Sequence, residues 1–258
     1  MPHVDWPGAR VWYAERRDSS SPYPPLVLVH GAGGSHLDWP AELFRLPGMT
    51  VLALDLPGHG RSPGPGRQSI DGYAGDVIGL MDALDLKRAI VGGHSMGGAV
   101  AQMMAINCPE RVAGLILIST GARLRVHPDI LSSVLSDPAS VYERLRAWMW
   151  AGPTSEQARR RWQARMAATE PGVVHGDYVA CNAFDVMDRV SAIAAPALIL
   201  VGTADRMTPP KFSAYLAAHI PGAQLVTVEG GGHLVMLEQP LVVAQAIAGW
   251  LTGVDFGV

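Results

Sequence analysis

The stretch that decides the reading is Gly92-Gly93-His94-Ser95-Met96-Gly97-Gly98, "GGHSMGG". It follows "RAIV" (Arg88 to Val91), a short apolar run, and precedes "AVAQMMAI" (Ala99 to Ile106), which reads as a helix. A strand-to-helix turn this sharp forces the residue at its apex into strained torsions, and side chains two positions to either side would collide. Glycines stand at both of those positions, Gly93 and Gly97, around Ser95. Such a junction projects the serine hydroxyl from the carboxyl end of a sheet, where open α/β sheets bind ligands. It also sets the hydroxyl at a helix N-terminus, whose free N–H groups favour developing negative charge. Ser95 is therefore read as a nucleophile, against the plainer reading of turn filler.

The rest of the chain has the rhythm that such a junction needs. "PLVLVHG" (Pro25 to Gly31), "TVLALD" (Thr50 to Asp55), "RAIVGG" (Arg88 to Gly93) and "GLILIS" (Gly114 to Ser119) read as buried strands. So do "ALILVG" (Ala197 to Gly202) and "QLVTVEG" (Gln224 to Gly230). Unbroken apolar runs without in/out alternation suit a parallel sheet covered on both faces. Helical patterns lie between them: Tyr73, Val77, Met81 and Leu84 share one face, and a last helix in "EQPLVVAQAIAGWL" runs to Leu251. The residues around Val11 to Arg16 suit antiparallel edge strands. Alternating strand and helix predicts an α/β layered domain with a mostly parallel central sheet.

One region breaks the alternation. From about Gly121 to Val190 no strand pattern occurs, and the segment is too long for a simple connection. "DPASVYERLRAWMW" carries Val141, Leu145 and Trp148 on one stripe, and Thr154 and Gln157 have capping-box spacing at the start of another helix. The expected organisation is a core of residues 1–120 and 191–258, with residues 121–190 as a helical cap inserted after the sixth strand. Trp148, Met149, Trp150 and Met166 give that cap an apolar character suited to a small or medium, largely apolar substrate.

Composition narrows the partners. Of 258 residues, 48% are hydrophobic and 17% charged, which excludes extended disorder. A net charge of −3 without a basic block argues against nucleic acid, and Arg159-Arg160-Arg161 reads as a solvated helix face. Neither a signal peptide nor an apolar stretch of membrane-spanning length is evident, so a cytoplasmic location is expected. Cys108 and Cys181 show neither metal spacing nor a disulfide framework and read as buried, inert thiols. The spacing does not predict oligomeric state.

A serine hydroxyl needs a base, and the base needs an orienting acid. Of nine histidines, His233 lies in "VEGGGHLVMLEQP", a glycine-rich loop after the last strand and before the last helix. "ALILVGTADRMTP" ends a strand and delivers Asp205 in the following loop, 28 residues before His233. Asp185 and Asp188 precede that strand, and Glu229 lies too close to the sheet. The chain order Ser95, Asp205, His233 is that of a nucleophile-elbow hydrolase. An oxyanion would need two backbone donors: the N–H of Met96, immediately after the nucleophile, and one from "VHGAGGSHLDW", with Ala32 preferred and Gly33 second. Gly33, Trp148, Met149 and Leu234 are candidate substrate contacts. Arg123 and Arg125, just beyond Ser119, could meet a carboxylate-bearing substrate, although solvated surface arginines are the plainer reading.

"HGAGG", "DLPGHGRS" (Asp55 to Ser62), "GHSMGG", "GTADRMTP" and "GGGHLVMLEQP", in this order, resemble the α/β-hydrolase superfamily over almost the whole chain. Within it the chain is most similar to cap-bearing small bacterial carboxylesterases and 3-oxoadipate enol-lactonase-like hydrolases. The resemblance implies a cofactor-free and metal-free hydrolase of esters or lactones with Ser95, Asp205 and His233 as its triad. It also implies structural roles for His30 and His59, while His94 is expected to pack below the pocket and His127, His175 and His219 to lie at the surface. A serine at the elbow argues against haloalkane dehalogenases and epoxide hydrolases, which use aspartate. Carbon–carbon bond hydrolases typically follow the histidine with tryptophan, where this chain has Leu234. Cofactor-free haloperoxidases share the triad. A ligand-binding protein of this fold without turnover is the alternative outside enzymes.

Overall fold

The computed structural model of the chain describes residues 3–6, 8–152, 154 and 156–257. Among them, eight strands form one sheet: β1 (His3–Trp6), β2 (Ala9–Arg16), β3 (Leu26–Val29), β4 (Val51–Leu54), β5 (Ala89–His94), β6 (Val112–Ile118), β7 (Ala197–Gly202) and β8 (Gln224–Val228). Their spatial order is β1-β2-β4-β3-β5-β6-β7-β8. β1 and β2 pair antiparallel, as does β2 with β4, and every other neighbouring pair is parallel. The antiparallel edge expected near Val11 is thus a two-strand hairpin.

Helices cover both faces. They are α1 (Ala41–Phe44), α2 (Ile70–Ala83), α3 (Met96–Asn107), α4 (Pro128–Ser133), α5 (Pro138–Met149), α6 (Glu156–Ala167), α7 (Pro171–Ala183), α8 (Pro210–His219), α9 (Val235–Glu238) and α10 (Pro240–Gly253). Strand pleating sends alternate residues to opposite layers. Val27, Val91 and Leu115 join the core under α2 and α3, while Leu26, Ile90 and Ile116 join the one containing Val243 and Trp250 of α10. In α2, Tyr73, Val77 and Met81 are buried, and the Ser69 side chain caps the helix by accepting from the Gly72 N–H.

Three expectations need correction. β8 is not a buried strand: Gln224, Leu225 and Thr227 are exposed because β8 is the last strand of the sheet and has no neighbour beyond it. Cys108 is only half-buried; Cys181 is buried as expected. The "EQPLVV" helix is also interrupted, since Gln239 separates α9 from α10 and Pro240, lacking an N–H, opens the second helix.

Between β6 and β7 stand α4 to α7 and, among the described residues, no named strand. The segment leaves and re-enters the sheet side by side. Arg123 bridges Asp185 antiparallel, and the Val186 N–H donates to the Ala122 carbonyl at 2.8 Å. The Asp137 side chain caps α5 by accepting from the Ser140 N–H, and Val141 and Leu145 are buried as the stripe predicts. Thr154, expected to cap the next helix with Gln157, stands two residues ahead of α6, which begins at Glu156, and Ser155 between them lies outside the described residues. None of the described helices is long and apolar enough to cross a membrane.

Candidate active site

The turn between β5 and α3 places Ser95 at φ 51° and ψ −112°, a conformation that non-glycine residues rarely occupy. The surrounding chain holds it there. The Ser95 N–H donates to the Ile118 carbonyl at 3.0 Å, and the Thr120 hydroxyl donates to the Ser95 carbonyl at 2.8 Å. The flanking glycines are sterically required. A Cβ on Gly93 would strike the backbone of Gly97, and one on Gly97 would strike the carbonyl of Val29 in β3. Backbone cannot swing aside as a side chain can, so the elbow needs hydrogen at both positions.

His233 is buried in the loop between β8 and α9. Its Nδ1 lies 3.0 Å from Asp205 Oδ2 and 3.1 Å from Oδ1. Asp205 in turn accepts from the Met207 and Thr208 N–H groups at 2.9 Å and from the Thr208 hydroxyl at 2.9 Å. Thr208 was not anticipated, although its place three residues after an aspartate is a recognisable turn signal. Burial alone would raise the Asp205 pKa, but the imidazole opposite and these hydrogen bonds outweigh it and lower the carboxyl to about 2. Asp185, Asp188 and Glu229 are exposed, and none of them is bonded to His233.

A carboxyl lowered from 3.8 to about 2 contributes stability that is present above its unfolded value and lost as pH falls through the folded one. The stability difference between wild type and Asp205→Asn is therefore expected to be constant near neutrality and to shrink from about pH 4 to about pH 2. Denaturant midpoints across that range check it; a difference independent of pH would show that the charged carboxylate is not what the fold exploits.

His94, at the end of β5, is buried beside the same loop. Its Nε2 lies 2.9 Å from the His233 carbonyl, and the two rings are 4.7 Å apart. Burial, with His233 adjacent, lowers its pKa to about 3, so a neutral ring donates Nε2–H to that carbonyl. His30 is likewise neutral, lowered to about 4 by burial and by neighbouring His59, and its Nε2 accepts the Leu56 N–H at 3.0 Å. Both are structural.

Ser95 and His233 border one small cavity with Ala32, Met149 and Leu234. Ser95 and Ala32 also floor a larger one of about 360 Å³, walled by Ile130, Trp148, Tyr178 and Met207. The structure thus brings Trp148, Met149 and Leu234 to the serine. Trp150 and Met166 instead pack into the apolar core.

Gly33 is different. Its N–H donates to Asp177 Oδ2 at 2.8 Å, and it borders neither cavity, so it is unavailable as an oxyanion donor or a substrate contact. The amides of Ala32 and Met96 meet no acceptor among the described residues. Donors left unpaired beside a serine are what a developing oxyanion requires.

Sequence reading missed the carboxylates that tie the inserted helices to the loops of the site. Asp177, on α7 and fully buried, accepts from the Gly33 N–H, from His59 Nε2 at 2.8 Å and from the Tyr73 hydroxyl. Burial opposes charge on His59, but Asp177 beside it prevails and raises the His59 pKa. Asp38 accepts from Arg165 of α6 at 3.0 Å and from the Ser35 N–H at 3.1 Å. Glu238 of α9 accepts from the Ala151 and Gly232 N–H groups, joining the end of α5 to the His233 loop. The signal for Asp177 was present: an aspartate inside "VVHGDYVAC" is out of place on an apolar helix unless it is paired.

The comparisons agree with this architecture. RutD of Pseudomonas syringae pv. syringae (strain B728a), whose name gives carbamate hydrolysis as its provisional activity, is 31% identical over 247 residues, spanning 89% of this chain and 94% of its own. The thermophilic esterase from Thermogutta terrifontis superposes with a TM-score of 0.86 at 28% identity, covering 98% of each chain. The enol-lactonase from Burkholderia xenovorans LB400 shares the fold with a TM-score of 0.90 at 24% identity, over 97% of this chain and 100% of its own. The sequence profile of the alpha/beta hydrolase family matches residues 26–246, and this chain belongs to that family.

Proposed function

We propose that this hydrolase cleaves carboxylic ester or lactone bonds of small to medium, largely apolar substrates through an acyl-enzyme on Ser95. The observation that carries the reading is a serine held at φ 51° that borders one cavity with a buried histidine, itself held by a buried carboxylate. His233 takes the Ser95 proton at Nε2, and Ser95 Oγ bonds to the carbonyl carbon. The resulting oxyanion is received by the Ala32 and Met96 amides, each worth roughly 3–4 kcal/mol in the transition state. Collapse breaks the bond to the alcohol oxygen, which leaves with the His233 proton, and water repeats the sequence on the acyl group. Asp205 keeps the proton of the neutral ring on Nδ1 and stabilises the cation. Residues 121–190 act as the cap, with Trp148 and Met149 enclosing the substrate over the serine.

The name of the RutD relative favours a second substrate class, carbamates, which the same groups would cut by the same steps. Turnover of a 4-nitrophenyl ester beside its matched carbamate ranks the two.

The test is active-site labelling. A 4-nitrophenyl alkylphosphonate is expected to inactivate the protein with one 4-nitrophenolate released per chain. The phosphorus should be found on Ser95 Oγ by peptide mass analysis, and a set of 4-nitrophenyl acyl esters then sizes the pocket by its chain-length optimum. Ester turnover without labelling of Ser95, or an adduct on another residue, would overturn the assignment.

A further inference from the structure

The larger cavity above Ser95 is apolar over most of its wall, yet the charge at its mouth has one sign. Arg125 and Arg206 line it, and no carboxylate does. Arg125 and Phe212 are shared with an adjoining cavity of about 230 Å³, which adds Arg123 and Lys211. Four permanent cations therefore line this cavity and the one adjoining it, on a chain whose net charge is −3.

The acidic groups nearby neutralise them only in part. Asp185 lies 3.6 Å from Arg123 and 3.3 Å from Arg125, so one carboxylate is divided between two guanidiniums. Arg125 is further held by donating to the Asn182 carbonyl at 2.6 Å, which fixes it at the divide between the two cavities. Arg206 is exposed and makes no ion pair among the described residues. The carboxylate preceding it, Asp205, is buried and committed to His233 and Thr208. His127 also borders the mouth, 3.7 Å from Asp129.

We propose that this mouth binds a carboxylate at the far end of the substrate, so that the enzyme prefers esters or lactones whose apolar chain ends in a carboxylate. The inference rests on reading Ser95 as the nucleophile. An apolar chain satisfies the wall, and a planar carboxylate matches the forked donors of Arg125 and Arg206. The groups are partly exposed, so the preference is modest, built from several cations and weakened by salt.

Matched substrates test it: mono-4-nitrophenyl esters of C6 and C8 dicarboxylic acids, each beside its methyl-capped diester. At low salt the free acid is expected to have about fivefold higher kcat/KM than the capped ester, falling towards unity in Arg206→Gln/Arg125→Gln and at high salt. Binding of the same pairs to Ser95→Ala reads the preference without chemistry and is expected to show the same ratio. A ratio of one or below in that binding measurement, or a ratio that the double substitution leaves unchanged, overturns this inference. A preference in binding with no Ser95-dependent turnover of either ester would instead overturn the hydrolytic reading and leave the carboxylate site standing. Ser95-dependent turnover of the capped diesters without a preference does the reverse.

Discussion

Ser95→Ala and His233→Ala are each expected to lower kcat for a 4-nitrophenyl ester by about 10⁴-fold or more, and the double variant by no more than the worse single. The physical reason is that the two side chains do one job. The hydroxyl is a weak nucleophile until its proton leaves, and a base with nothing to deprotonate contributes nothing. No neighbour can substitute for His233. His94 is the nearest imidazole, but burial holds its pKa at about 3 and its Nε2–H is spent on the His233 carbonyl. Steady-state kcat of the three variants, with thermal unfolding run alongside to confirm the fold, provides the check. Losses that multiply in the double variant would mean that serine and histidine act independently.

Asp177→Ala is expected to cost about 3–5 kcal/mol of stability, because removing one partner of a buried charged network strands the others. His59, the Tyr73 hydroxyl and the Gly33 N–H would all lose their acceptor at once. The same change should lower kcat, since Gly33 follows Ala32 and its bond to Asp177 fixes the loop that carries the proposed first oxyanion donor. Urea denaturation gives the first number and saturation kinetics the second. A variant within about 1 kcal/mol of wild type would show that the network contributes little beyond its own desolvation cost.

The part of the site legible beforehand is the part built from local backbone demands. Gly93 and Gly97 announce the elbow because an apex in that conformation excludes side chains from both flanks, and the clashes with Gly97 and Val29 are the tertiary form of the same rule. Asp205 and His233 could be placed because each follows a recognisable strand, and parallel strands bring their carboxyl ends to one edge of the sheet. Gly33 misled for the complementary reason. A glycine in a loop declares that bare backbone is available, but not which acceptor has already claimed its N–H.

The sequence by itself determined the layered α/β fold and the glycine-flanked turn at Ser95, because these follow from hydrophobic period and turn chemistry along the chain. Only the tertiary structure decided that Asp177 closes Gly33 and leaves Ala32 open, that Glu238 ties the end of α5 to the His233 loop, and that Arg125 and Arg206 share one mouth. Each of these joins residues far apart along the chain. Side-chain hydrogen bonds and electrostatic fields depend on distance in space, and a one-dimensional pattern carries no record of that distance until the chain has folded.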